Sequence, residues 1–256
     1  MADSLDRERM LAPVRFSRLK YIAQSPAHYI HEVTNPRGPS VAMRRGSYTD
    51  ALLFETTAAW AVFEGSRRGK AWDAFELANT TKQTITQAEV EPCMEMARSL
   101  RRNREAMELL GDGVRQQTLG WKFLGRECAG TPDVRNASRV VDLKTTRSAD
   151  PRRFVRDGLF RAYHAQLAWY LDAVSLCGVG KPSEAYIVAV ESTPPHPVTV
   201  LRLTDNAIDA GRRACRLWLE RLIACEQADH WPGYVECSVD FDVETEVELT
   251  FGEETE

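Results

Sequence analysis

The spacing of apolar residues changes character along the chain. In "FSRLKYIAQSPAHYIHEV" Ser17 stands as a helix N-cap ahead of a short helix, and Ser25-Pro26 opens a second turn or helix. Residues 35–40, "NPRGPS", predict a loop. "RRGSYTDALLFETTAAWAVF" predicts a helix beginning near Ser47, with Ala51, Leu52 and Phe54 toward the core. Residues 64–82 are mixed and polar, with little regular structure expected. "TITQAEVEPCMEMARSLRRNREAMELL" predicts a helix or helix pair opened by Thr86 and ending before Gly111.

Beyond Gly111 the pattern shortens. "QQTLGWKFLGRECAGTPDV" and "SRVVDLKTT" are brief apolar runs with β-branched residues, joined by "RNAS", and predict paired strands. After Asp150-Pro151 a long helical stretch is expected to about Leu176. Two strands follow, "EAYIVAVES" and "PVTVLRLT". Thr204 or Asp205 then caps a last long helix to about Gln227, which "HWPGY" breaks. The order of elements predicts an α/β fold with a mixed central sheet flanked by helices. One domain over residues 1–238 is expected, followed by an acidic strand or tail at 239–256. In that tail Val239, Phe241, Val243, Val247, Leu249 and Phe251 alternate with acids, a strand pattern whose apolar face needs a partner. The partner is this chain's own sheet or a neighbouring subunit's edge; alternatively the acids repel DNA from one surface or mimic it.

Composition changes this picture little, and charge changes it more. Hydrophobic residues make up 43% and charged residues 27%, as in ordinary globular chains. No run is long and apolar enough to span a membrane, and the charged "MADSLDRERM" lacks an apolar core, so a cytoplasmic location without a signal peptide is expected. The six cysteines are scattered with no CxxC pair, which predicts free, mostly buried thiols. Residues 240–256 carry eight acids and no base; without them the remaining 33 bases face 29 acids, a net of +4. The mildly basic body permits nucleic-acid binding.

The chemistry concentrates in "TPDVRNASRVVDLKTT". Side chains alternate along a strand, so Asp142 and Lys144 share one face while Val141 and Leu143 share the other. A hairpin centred on "NAS" brings Asp133 to Asp142. Two converging carboxylates suit a hard divalent cation, and an ammonium beside them can neutralise charge on a phosphate under attack. The plain alternative is a solvated sheet edge. Gln166 and Tyr170 lie one helical turn apart downstream, and Arg147, Arg152, Arg153, Arg156 and Arg161 follow the strand as a phosphate-contacting cluster or as a solvated helix face.

Pro132-Asp133, Asp142-Leu143-Lys144 and the Gln166/Tyr170 pair together resemble the PD-(D/E)xK nuclease superfamily. "FSRLKYIAQSPAHYI", "MRRGSYTDALLFE" and "HWPGY" resemble its RecE-like, exodeoxyribonuclease VIII-like phage recombination exonucleases, over roughly residues 15–235. That resemblance implies Mg²⁺, or Mn²⁺, held by Asp133, Asp142 and the Leu143 carbonyl. Lys144 would position the attacking water, and Gln166 would orient the water, Lys144 or the DNA backbone. It implies 5′-to-3′ digestion of one strand of linear duplex DNA. Tyr170, the arginines and Ser25 would contact DNA, Ser25 through a terminal 5′-phosphate. Its expected partners are DNA ends, a single-strand annealing recombinase and further copies in a ring-shaped trimer or tetramer. Where the family has a histidine this chain has Asp50, which would ligate the metal or mark an altered enzyme. The competing reading is a non-catalytic DNA-end-binding or scaffold protein on a nuclease fold.

Overall fold

The computed structural model describes residues 10–235. The acidic segment at 239–256 lies outside the described residues. The chain enters through β1 (Val14–Arg15), one helical turn at Phe16–Leu19, α1 (Pro26–Thr34) and α2 (Val41–Leu53). A small outlying unit follows: β2 (Trp60–Phe63), α3 (Lys70–Ala78) and β3 (Gln83–Thr86), which leads into α4 (Gln87–Arg102) and α5 (Arg104–Gly111). The strands β4 (Val114–Arg115), β5 (Leu119–Phe123), β6 (Arg126–Gly130), β7 (Val134–Arg135) and β8 (Arg139–Thr146) come next. Then α6 (Pro151–Phe160) and α7 (Tyr163–Leu176) cross over to β9 (Glu184–Glu191), and β10 (Val198–Arg202) and α8 (Asp205–Ala228) complete the described chain.

The central sheet has the order β10-β9-β8-β7-β4. Its β8–β9 pair is parallel and its other pairs are antiparallel, so the sheet is mixed. A parallel pair needs a crossover, which α6 and α7 supply. Helices cover both faces, and β8 shows it within two residues. Val140 belongs to one buried cluster with Leu167 and Leu171 of α7 and Leu219 and Leu222 of α8, while Val141 belongs to another with Ala51 of α2, Met96 and Leu100 of α4, and Leu110 of α5. Burial on both sides is why "AYIVAV" in β9 reads as a nearly unbroken apolar run. A second sheet, β1-β6-β5, is tied to α7: Trp169 donates from Nε1 to the Ala129 carbonyl at 3.2 Å, and its ring meets Trp121 edge-on at 5.0 Å.

Several boundaries differ from the sequence expectations. Ser17 lies inside the first turn rather than capping it. The second helix begins at Val41, six residues before Ser47, because the Ser40 hydroxyl accepts the Met43 N–H at 3.2 Å. It ends at Leu53, so "WAVF" is not its continuation but a strand paired in parallel with "QTIT". Residues 64–82 are not irregular: they contain α3, whose Trp72 and Phe75 cluster with Phe63. The long stretch after Pro151 breaks into two helices at Ala162, which takes a left-handed φ of 57°. Among the described residues Cys93, Cys128, Cys215 and Cys225 are buried free thiols and Cys177 is a half-buried one.

Candidate active site

The hairpin that joins β7 to β8 builds the floor of the site. Asn136 Oδ1 accepts the N–H groups of Ser138 and Arg139, each at 2.9 Å, which closes a tight Asx turn. The resulting register pairs Val134 with Val141 and so sets Asp133 opposite Asp142. Asp133 Oδ2 accepts the main-chain N–H of Leu143 at 2.8 Å. Asp142 is nearly inaccessible, and Lys144, two residues on and on the same face, forms an ion pair with its Oδ2.

Two carboxyls and one ammonium meet at the floor of a cleft. Burial and the neighbouring Asp142 carboxylate push Asp133 well above the usual carboxylate range, against the pull of Lys144 and the Leu143 N–H. Burial would lower Lys144, but Asp142 and Asp133 outweigh it and hold the ammonium above the ordinary lysine range. Lys144 is therefore held as a cation and a donor beside the two carboxyls. Asp133 and Asp142, with the Leu143 carbonyl, form a donor set suited to a hard divalent ion, since Mg²⁺ takes one or two carboxylates and keeps several waters. Asp133, pushed up by burial and by the Asp142 charge beside it, is a carboxyl whose ionised form a divalent cation between the two would favour.

The wall above the strand is α7. Gln166 Nε2 donates to the Tyr170 hydroxyl at 3.1 Å and points at Asp142 Oδ1 from 3.5 Å, the limit of a hydrogen bond. Burial first, and then Asp142, push the Tyr170 hydroxyl up to about 12, so it stays protonated. Tyr170 can sit so low because residue 130 is glycine: a Cβ there would stand 3.1 Å from its ring. Opposite, α2 presents Asp50. Its two oxygens accept from Arg115 Nη2 at 2.9 Å and Gln116 Nε2 at 2.7 Å, so in this conformation Asp50 anchors two side chains and is not a free metal ligand. Among the described residues no group of three acidic, histidine or cysteine side chains is placed to hold a metal.

These groups face one cleft of about 550 Å³, which brings together Asp50, Asp133, Asp142, Leu143, Lys144, Gln166, Tyr170 and Arg161. Arg147 lines an adjoining hollow that shares Arg161 and Tyr163 with it. Arg152 and Arg153 are exposed on α6 and do not line the cleft. Ser25 is wholly buried: its hydroxyl bonds His28 Nδ1 at 2.6 Å and caps α1, so it is not presented to a phosphate. Sequence reasoning missed Lys20, Gln116 and Tyr163, which line the cleft, and Arg115 behind Asp50. They lie outside the motif spacing, and only the strand pairing β4–β7 brings Arg115 near.

A family model described as a PDDEXK-like domain of unknown function (DUF3799) matches residues 15–240. No curated protein matches significantly. A provisionally assigned exonuclease from Eubacterium rectale shares the fold at a TM-score of 0.65 with 17% identity, over 98% of this chain and 99% of that chain. An alkaline exonuclease from Laribacter hongkongensis covers 69% of this chain and 94% of that one with 12% identity, but its TM-score of 0.33 carries no structural conclusion.

Proposed function

Because the chain belongs to this PDDEXK-like family, on a nuclease fold, we propose that it is a metal-dependent deoxyribonuclease that digests one strand of linear duplex DNA from its end. The convergence of Asp133, Asp142 and Lys144 under Gln166 and Tyr170 in one cleft carries this reading. The exonuclease assignment of the Eubacterium rectale neighbour agrees with it.

In the proposed reaction Asp133, Asp142 and the Leu143 carbonyl would hold Mg²⁺ or Mn²⁺, which would supply a Lewis acid for the phosphate and a more acidic water. Lys144, kept charged by its carboxylate neighbours, holds the attacking water and stabilises charge developing on the phosphate. Gln166, fixed by Tyr170, orients that water or Lys144. Arg161 and Lys20 at the rim hold the DNA backbone. A 5′-to-3′ polarity, a ring of copies, an annealing recombinase as partner and a place in phage-type recombination or repair belong to the same proposal, on the resemblance of the motifs.

One observation favours a second reading. Asp50 stands where the resemblance expects a histidine, and its carboxylate is committed to Arg115 and Gln116. A DNA-end-binding protein without hydrolysis would tolerate that. Incubating the purified chain with Mg²⁺ and end-labelled linear duplex, beside closed circular DNA, separates the two. Digestion of the linear form alone supports the exonuclease; binding without digestion supports the scaffold; equal digestion of both forms points to an endonuclease.

A further inference from the structure

Beside the cleft lies a second hollow, of about 640 Å³, lined by Lys20, Tyr21, Gln24, Phe160, Arg161 and Tyr234 among others. Phe160, the last residue of α6, is 94% exposed and Tyr234 is 70% exposed. An aromatic ring so exposed adds almost nothing to the core. Yet the ring sits on built backbone: Arg161 closes α6 by donating its N–H to the Asp157 carbonyl at 3.0 Å, and Ala162 follows in a left-handed conformation. Tyr234 is likewise placed, since Gln24 donates to its hydroxyl at 3.0 Å and its ring packs on His28 at 5.4 Å.

The cations make the hollow directional. Lys20 and Arg161 line both this hollow and the catalytic cleft, so the two are continuous. Among the described residues neither makes an ion pair, and Lys20 lies 5.4 Å over the Tyr21 ring. Two cations without an ion pair, between exposed aromatic rings and paired acids, ask for an anion on one side and a flat π-surface on the other. A nucleotide has both, in that order: a phosphate toward the cleft and a base away from it.

We infer that Phe160, with Tyr21 and Tyr234, forms a stacking platform for an unpaired base of the strand whose phosphate enters the Asp133–Asp142 cleft, with Lys20 and Arg161 holding the phosphate between them. This deepens the nuclease reading and rests on it. The platform takes single-stranded DNA without sequence preference, because every base has a π-face.

The test uses the full chain carrying Asp142→Asn, with Mg²⁺, and an oligonucleotide duplex bearing 2-aminopurine in a short unpaired end. Binding quenches the 2-aminopurine fluorescence. Adding Phe160→Ala abolishes most of the quenching and weakens binding of the unpaired end about tenfold, and Phe160→Trp restores both. Equal quenching and affinity with and without Phe160→Ala overturn the platform. So does a fall in particle mass by light scattering in Phe160→Ala, which would make the exposed ring a contact between copies. Digestion by the chain with Asp142 intact is measured in parallel: its absence overturns the nuclease reading and the platform together, whereas digestion with an inert Phe160 overturns the platform alone.

Discussion

Asp133 grips the strand that carries its partner: its Oδ2 accepts the Leu143 N–H at 2.8 Å, one residue beyond Asp142. The carboxylate therefore serves the sheet as well as the charge of the site, and two substitutions separate these roles. Asp133→Asn keeps an oxygen acceptor for Leu143 while removing the charge. It is expected to leave the melting temperature unchanged or raised, since it also relieves the repulsion with Asp142, yet to abolish Mg²⁺-dependent digestion. Asp133→Ala leaves a part-buried N–H without its acceptor, so it costs about 1–3 kcal/mol besides losing activity. Equal stability of the two variants would mean that Asp133 does not hold the Leu143 N–H.

Gln166 and Tyr170 act as a unit on α7. Tyr170→Phe removes one hydrogen bond of a side chain that the fold otherwise retains, so stability falls by about 1 kcal/mol. Activity drops further, because Gln166 loses the contact that aims it at Asp142. Gln166→Ala lowers turnover at least as much. A double variant no worse than Gln166→Ala alone confirms that the tyrosine works through the glutamine; additive losses do not.

Gly211 in α8 tests how closely the site helix is held. A Cβ there would come within 2.5 Å of the His164 carbonyl oxygen and 2.9 Å of Ala168 Cβ, both on α7. Alanine in a helix interior ordinarily gains about 1 kcal/mol over glycine, but overpacking of this kind costs about 1–3 kcal/mol. The clash wins, so Gly211→Ala lowers the urea midpoint. It also lowers activity, since α7 carries Gln166.

Glu89 sets an acid limit on the fold. Burial raises its carboxyl, but the Thr86 N–H and hydroxyl, Arg44 and Arg67 outweigh burial and hold it below its ordinary value of 4.5. A depressed carboxyl stabilises the fold above its unfolded value and ceases to do so as pH falls through the folded one. Stability is therefore expected to fall below about pH 4.5, and Glu89→Gln to flatten that dependence while keeping the helix cap. A denaturation series from pH 3 to 6 checks this; parallel curves for the two proteins contradict it.

The parts of the site that were legible in the sequence are local. Alternation placed Asp142 beside Lys144, the "NAS" turn placed Asp133, and helical spacing placed Gln166 above Tyr170. What escaped depends on tertiary pairing. "WAVF" is rich in strand-favouring residues, but it adjoins a helical run, and its parallel pairing with "QTIT" makes it a strand. The break at Ala162 carries no glycine or proline to announce it, and it sets Phe160 in the second hollow and Arg161 between that hollow and the cleft. Arg115 and Gln116 reach Asp50 across 65 and 66 residues, which no local pattern encodes.

In the proposed function Asp142 and Lys144 carry phosphodiester hydrolysis. The direct measurement is the rate at which label leaves end-labelled linear duplex in Mg²⁺, for the unaltered chain, Asp142→Asn and Lys144→Ala. Digestion by the unaltered chain is expected, with a loss of about a hundredfold or more in each variant and all three still folded and binding DNA. Digestion by either variant at the unaltered rate contradicts that expectation.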